Sequence, residues 1–432
     1  MLTRLMRHLG EPICAASLAA YRFAFGVLMC GSALRFIEAG WVERCFVRPR
    51  FFFSYYGFSF VEVLSPEMMT AAFVTLAVLG ALIAIGLFYR VAIIAYFLLF
   101  TYVELIDVTN YLNHYYLVSL LAFLLCFVPA NAAFSLDAKL GITRASRTIP
   151  RWVLTILRFQ VGCVYVFAAL AKLESDFLVH AEPVQIWMAA NSHVPIVGPY
   201  LARYDVALLL SWAGFLNDLF AVPLLLTRRT RPYAFVMIVT FHLATNVFFN
   251  IGIFPILMPI NATLFLDPDW PFALMRRFGL TEPAESATPS KSVSPRLALL
   301  LGVYALVQIT LPLRTHLYGG SVLWHEQGMR FSWRVMLRSK AGSITYRVRV
   351  PSTGREIEVS PRRYLTDQQE REFSGQPDLI LALAHRIASD FRAEGHADVE
   401  VRADAWVSLN GRPAERMIDP DVDLARIEDG LA

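Results

Sequence analysis

The sequence predicts an all-α polytopic membrane bundle of about nine transmembrane helices, followed by a small extramembrane α+β domain. Of the 432 residues, 56% are hydrophobic and only 17% are charged. Soluble domains carry roughly 25% charged residues, so this composition indicates a membrane protein. Long apolar stretches recur along residues 1–316, and alternating strand patterns follow them. We therefore divide the chain into a transmembrane bundle, 1–316, and an outer domain, 317–432.

Nine stretches are apolar enough to be considered as crossings of a hydrocarbon layer roughly 30 Å thick. The first stretch is longer than the roughly 7–15-residue apolar core of a signal peptide, so we expect a retained first span. A linker rich in Pro, Ser and Thr, 281–295, separates the last two stretches. The third, seventh and eighth stretches are short. The nine are 12–37, 69–88, 90–106, 115–134, 152–173, 206–227, 233–250, 251–267 and 297–316.

The distribution of basic residues predicts the orientation of these spans. If the N-terminus lies inside, the inner segments carry most of the lysines and arginines, for example in 139–151, 228–231 and 276–296. The outer loops carry far fewer, as the positive-inside rule requires. The sequence thus predicts an N-terminus inside and an outer domain outside.

Composition also argues against several functional classes. The net charge of +4 is small and scattered, so a nucleic-acid partner is not expected. The five cysteines include no CxxC pair, and the nine histidines include no HExxH motif or Cys–His zinc spacing. We therefore expect neither a disulfide framework nor a metal site.

The C-terminal part alternates apolar and polar residues with the period of a β-strand. Residues 344–350 and 356–360 are predicted strands, joined by a turn. Residues 377–394 place apolar side chains on one face of a helix, and 397–408 form a further strand. Asn410-Gly411 is a strong turn signal, after which 416–419 can pair back.

One lysine stands where the fifth apolar stretch ends. Lys172 shares a helical face with Ala168 and Tyr165, and small neighbours leave a slot for a flat ligand. The alternative is structural, because a lysine at the end of a span commonly extends its ammonium to the lipid headgroups. The spacing alone leaves both interpretations open.

Further polar residues are expected at the same depth in the outer half of the bundle. Each also has a structural explanation, such as capping a helix end or bonding to Asn217 or Asp218 inside the bundle. Their common depth nevertheless predicts a pocket with an amine, imidazoles and amides. They are Asn113 and His114 between spans three and four, and His242, Asn246 and Asn250 at i, i+4 and i+8 on span seven.

Five ordered blocks of the chain resemble the vitamin K-dependent γ-glutamyl carboxylase family, whose membrane part is called the HTTM domain. The first block resembles the segment around the family's catalytic lysine and places Lys172 on it. Two further blocks lie in the membrane part, one before and one after it, and two lie in the outer domain. The blocks are YVFAALAKLESDF, ID-x-T-N-x-x-NHYYL, FHLATNVFFNIGIFP, RFSWRVMLRSK and DAWVSLNGRPAERMIDPDVDL.

The resemblance implies a reaction and a set of site residues. A base, Lys172 with a neutral amine, would deprotonate reduced vitamin K, a menaquinol-type hydroquinone. With O2 and CO2 as co-substrates, the quinol would become an epoxide and a glutamyl side chain would be carboxylated. By the same analogy His114 joins the catalytic set; Asn113, Tyr165, His242 and Asn246 bind the quinol or the glutamate carboxylate; and Trp333, Arg334 and Arg338 approach the peptide.

Departures from the family pattern keep alternatives open. Ala171 replaces the first lysine of a doublet, Met329 replaces a tyrosine, and Arg338 replaces a histidine. The long C-terminal extension of the animal enzymes is absent, and the compact chain suggests a protein of a bacterial cytoplasmic membrane. The expected partners are membrane lipid, quinol and a glutamate-containing peptide. A quinol epoxidase that does not carboxylate, and a non-enzymatic HTTM transporter or scaffold, remain the alternatives.

Overall fold

The computed structural model describes residues 2–249, 251–279 and 292–428. Most of the predicted linker 281–295, and Asn250, therefore lie outside the described residues. The bundle is helical apart from one short antiparallel pair, β1 (Pro12–Cys14) with β2 (Thr148–Pro150). Its helices are α1 Leu2–Gly10, α2 Ala16–Glu38, α3 Pro66–Ile85, α4 Tyr89–Leu105, α5 Asn113–Leu125, α6 Leu136–Lys139, α7 Trp152–Ala171, α8 Ser175–Leu178, α9 Val184–Ala190, α10 Gly198–Leu201, α11 Tyr204–Leu226, α12 Arg231–Phe248, α13 Phe254–Ala262, α14 Trp270–Arg277 and α15 Pro295–Leu313.

Five of the described helices are long and apolar enough to cross a membrane: α2, α3, α7, α11 and α15, the last continued to Leu317. The other predicted spans also contain helices, namely α4, α5, α12 and α13. However, α5 has only 13 residues and α13 only 9. At about 1.5 Å per residue, both fall short of roughly 30 Å of hydrocarbon. The structure thus confirms a mainly helical bundle, but it does not confirm nine crossings.

Helices α2 and α3 approach each other closely because glycines face each other across their contact. An added Cβ at Gly26 would lie 2.4 Å from the backbone nitrogen of Ala84, and one at Gly80 would lie 2.6 Å from that of Cys30. Small residues allow such backbone-to-backbone packing between membrane helices, where dispersion contacts replace the hydrophobic effect.

The outer domain is a four-stranded antiparallel sheet covered by a helix, as the alternating pattern predicts. The strand order is β4 (Arg355–Val359), β3 (Lys340–Val350), β5 (Glu400–Leu409) and β6 (Glu415–Arg416). On α18 (Pro377–Ala393), Ile380, Leu383 and Ile387 are fully buried in the domain's core. The turn at Asn410-Gly411 follows β5, and β6 pairs back onto it, as expected. The elements are α16 Val322–His325, β3 Lys340–Val350, β4 Arg355–Val359, α17 Asp367–Phe373, α18 Pro377–Ala393, β5 Glu400–Leu409 and β6 Glu415–Arg416.

An aromatic loop, residues 41–66, follows α2 and contacts the outer domain. Phe53 is buried and stacks on Phe373 of α17, with ring centroids 6.1 Å apart. Gln369 of the same helix donates to Asp107 Oδ2 and to the carbonyl of Phe51, both at 2.8 Å. The turn between α4 and α5, the aromatic loop and α17 therefore form one docked unit above the bundle.

Candidate functional site

Lys172 lies immediately after α7, and its side chain points into the protein. The residue is 6% exposed, and Nζ lies 2.7 Å from Asp218 Oδ2 on α11. Nζ also donates to the carbonyl of Ala168 at 3.4 Å. A buried ammonium requires a charged or hydrogen-bonding partner, and Asp218 provides one. The alternative in which the ammonium extends to lipid headgroups does not fit this geometry.

Tyr165 and His242 complete the polar part of the same cavity. The Tyr165 hydroxyl and His242 Nε2 are 3.3 Å apart, and both side chains are buried. Within the part of the chain that the structure describes, His242 Nδ1 has no hydrogen-bond partner. With Lys172 and Asp218 these residues line a cavity of about 150 Å³, called here the lysine cavity. Its other walls are mostly apolar and include six aromatic side chains: Phe177, Trp187, Phe241, Phe248, Phe249 and Phe254.

Asn113 and His114 lie in a neighbouring and larger space. This outer cavity, about 580 Å³, extends from the bundle to the aromatic loop and α17. Asn113 Oδ1 accepts a hydrogen bond from the Tyr111 hydroxyl at 3.1 Å. His114 is 6% exposed, and its Nε2 has no partner among the described residues. The charged side chains in its lining are Arg44, Glu104, Arg371 and Glu372.

The two cavities share one wall, made of Ile251, Phe254, Val335 and Met336. The ring of Phe254 lies between the two imidazoles, with its centroid 6.0 Å from that of His114 and 5.3 Å from that of His242. The predicted site residues that line a cavity thus occupy two adjacent compartments, where the sequence indicated a single pocket: Lys172, Tyr165 and His242 line one, and Asn113 and His114 line the other.

Asn246 and Trp333 lie outside the lining of both cavities. Asn246 is exposed on α12, one turn beyond His242. Trp333 is 1% exposed and stacks on Tyr116, with ring centroids 5.0 Å apart. Trp333 therefore packs in the core, two residues before Val335 of the shared wall.

The two predicted substrate arginines are paired with carboxylates of the chain itself. Arg334 Nη1 lies 2.9 Å from Glu174 Oε1, and Arg338 Nη2 lies 3.1 Å from Glu326 Oε2. Glu326 also binds Lys340, at 2.8 Å. Burial lowers the pKa of Lys340 to about 8, although Glu326 acts in the opposite direction. These ion pairs fasten the segment that carries Val335 and Met336.

Asp218 lines the lysine cavity, although the sequence analysis gave it no role in the site. Its signal was a carboxylate in the middle of an apolar stretch, a costly position that indicates a partner. The sequence could not show that this partner is Lys172, because the two residues are 46 positions apart on separate helices.

Two family models match the chain. The HTTM domain matches residues 11–270, and the vitamin K-dependent gamma-carboxylase lumenal domain matches residues 293–432. No solved structure matches it. The fold and site define a helical membrane protein with a docked α+β domain and a buried lysine between helices. Because the two family models together cover nearly all of the chain, the chain belongs to the vitamin K-dependent γ-carboxylase family. This confirms the resemblance seen in the sequence.

Proposed function

We propose that this protein is a γ-glutamyl carboxylase that couples oxygenation of vitamin K hydroquinone to carboxylation of glutamyl side chains. The observation that supports this most strongly is the buried amine of Lys172. It stands in an apolar cavity beside a carboxylate, a phenol and an imidazole. A desolvated cavity of this kind is where proton transfer can be controlled and water kept away.

The residues of the lysine cavity fit a hydroquinone. Its aromatic walls suit a flat ring, and His242 Nδ1 is a buried polar atom without a partner, able to bond a ring hydroxyl. At about 150 Å³, the cavity is smaller than the roughly 300–1,000 Å³ of pockets that enclose drug-sized ligands. It would therefore take the ring, while an isoprenoid tail extends toward the lipid.

When bound, the hydroquinone would react with O2 and so supply the strong base that removes a γ-proton from glutamate. In balance, hydroquinone, O2, CO2 and a glutamyl residue give the epoxide, γ-carboxyglutamyl and water. The protein's own residues would have to bind, orient and deprotonate the hydroquinone, and keep water from the carbanion.

Lys172 is the proposed base, and Asp218 controls its proton. A neutral amine accepts the hydroxyl proton, and Asp218 Oδ2, 2.7 Å from Nζ, is close enough to exchange a proton with that amine. We infer that proton transfer within the pair prepares the amine. Tyr165 and His242 orient the ring against it.

The outer cavity is the proposed glutamate side, with His114 and Asn113 in its lining. Trp333, Arg334 and Arg338 then act as positioning residues, because packing and ion pairs hold the segment that forms the shared wall. If the N-terminus lies on the cytoplasmic side of a bacterial membrane, a peptide would reach this cavity from outside the cell. The quinol would arrive from the bilayer.

An assay on purified, detergent-solubilised protein tests the proposal. It supplies vitamin K hydroquinone, O2, labelled bicarbonate and a short glutamyl peptide. Epoxide together with fixed label is the expected result. Epoxide without fixed label would identify a quinol epoxidase, an alternative favoured by the internal pairing of Arg334 and Arg338. Neither product from folded protein would contradict the enzyme assignment and favour a transporter or scaffold.

A further inference from the structure

We propose that Arg35 and His114, beside Gly252, form a binding site for the side-chain carboxylate of an acidic peptide. The choice of a glutamyl peptide rests on the proposed function. The existence of an anion site does not, because it follows from unpaired donors at the edge of the outer cavity. Arg35 lies on α2, and no sequence motif pointed to it.

Three buried nitrogen atoms at this place lack hydrogen-bond partners among the described residues: Nε and Nη2 of Arg35, and Nε2 of His114. Buried polar atoms in folded proteins nearly always have a partner, so each of these needs an explanation. A guanidinium is always charged, and Arg35 is half-buried, with Nε and Nη2 out of contact with solvent. Burying these charged donors without a counter-charge is costly. The described residues offer Arg35 no carboxylate within salt-bridge distance. An anionic ligand would satisfy both Arg35 nitrogens, and also His114 Nε2 in the tautomer that carries its hydrogen there.

Two of these atoms, His114 Nε2 and Arg35 Nη2, lie beside Gly252. A Cβ at this glycine would lie 3.0 Å from His114 Nε2 and 3.6 Å from Arg35 Nη2. The backbone there has φ +65°, a conformation that glycine adopts without strain. The absence of a side chain leaves the approach to both donors open, and Gly252 itself lines the outer cavity.

The shape and charge of the site suit a carboxylate. A guanidinium binds a carboxylate through two parallel hydrogen bonds, and the Arg35 guanidinium is held over the ring of Trp41, 4.9 Å from its centroid. The cavity lining itself contributes two arginines, Arg44 and Arg371, and two glutamates, Glu104 and Glu372. Arg35 therefore adds a positive charge that the lining does not balance.

The position of the site also matches the two-compartment arrangement. His114 contacts Phe254, whose other neighbour is His242 in the lysine cavity. A carboxylate held by Arg35 and His114 would place the rest of its side chain against the shared wall, next to the compartment that contains Lys172.

Binding to the full-length protein in detergent tests this inference without requiring turnover. Titration calorimetry would compare a blocked Ala-Glu-Ala peptide with Ala-Gln-Ala and with sodium bicarbonate. We expect Arg35→Gln to weaken Ala-Glu-Ala roughly 10- to 100-fold and to leave Ala-Gln-Ala unchanged. Arg35→Lys should lose less, because it keeps the charge but not the planar fork. Gly252→Ala should also weaken Ala-Glu-Ala, since its methyl group blocks the approach.

Arg48→Gln is the matched control, because it removes the same charge from an exposed position of the aromatic loop. It should change the affinity less than about threefold. Equal affinity of wild type and Arg35→Gln for Ala-Glu-Ala would overturn the inference, as would a wild type that does not prefer Ala-Glu-Ala. Bicarbonate that saturates the site without competition from the peptide would overturn the peptide assignment. If Arg35→Gln does not fold, the affinities of Arg35→Lys and Gly252→Ala for Ala-Glu-Ala decide, and unchanged affinity in both would overturn the inference. Binding that depends on Arg35 in a protein without epoxide or carboxylated product would contradict the proposed function alone.

Discussion

Lys172 Nζ and Asp218 Oδ2 lie 2.7 Å apart between α7 and α11, in a place where the two residues are only 6% and 9% exposed. The pair joins two helices that also pack against each other along the lysine cavity. Its strength therefore affects both the stability of the bundle and the protonation of the proposed base.

Removing one member of this pair should destabilise the protein more than removing both. Asp218→Leu leaves a buried ammonium without a counter-ion, and Lys172→Met leaves a buried carboxylate. Breaking a buried ion pair costs roughly 3–5 kcal/mol, whereas apolar replacement of both partners is often nearly neutral. Thermal unfolding in detergent should show lower midpoints for each single variant and partial recovery in the double variant. Additive losses in the double variant would show that the two side chains do not interact.

The glycine contact between α2 and α3 should tolerate no methyl group. Gly26→Ala would place a Cβ 2.4 Å from the backbone of Ala84, so the helices must separate. We expect a loss of about 1–3 kcal/mol, the usual cost of overpacking. Gly31→Ala on the same helix is the control, because its Cβ would meet nothing within 4 Å. It should be neutral or slightly stabilising. Equal thermal midpoints for the two variants would contradict the close contact.

Asp107, in the turn between α4 and α5, should make stability depend on pH. Burial raises the pKa of Asp107 to about 6, although Thr109 and Gln369 donate hydrogen bonds to it. The native state therefore binds a proton between about pH 4 and 6 that the unfolded state does not bind, and this contribution to stability is lost as the pH rises through that range.

An asparagine at position 107 does not titrate, so Asp107→Asn should remove this loss of stability with rising pH. Relative to its own value at pH 4.5, wild type should lose about 1–3 kcal/mol more than the variant by pH 7. Thermal midpoints of both proteins across this range provide the measurement. Parallel pH curves for the two proteins would contradict a raised pKa at this position.

The outer domain could be predicted in detail because its signals are local. The alternation in 344–350 and the Asn410-Gly411 turn each act over a few neighbouring residues, and β3, β5 and β6 formed as expected. The number of membrane crossings could not be predicted in the same way, because hydropathy does not show where a helix ends. The stretch 115–134 remains apolar, yet α5 ends at Leu125, four residues before Pro129.

The site could be predicted only in part for a related reason. Lys172 and His114 stand out in the sequence because each is a polar residue beside an apolar run. Asp218 acts through Lys172 on another helix, and Arg35 comes close to Gly252 and His114 only through packing. Asn246 shows the limit of spacing, because each four-residue step drifts about 40° around a helix. His242 faces Tyr165, while Asn246, one turn on, is exposed.

The most direct test of the central claim measures vitamin K epoxide formed by purified wild type, Lys172→Met and Lys139→Met under the same hydroquinone and O2 supply. Lys139 is exposed at the end of α6 and provides a matched control. If Lys172 is the base, its variant should lose roughly 10²–10⁴-fold in epoxide formation, while Lys139→Met remains close to wild type. Epoxide formation retained in folded Lys172→Met would contradict the account.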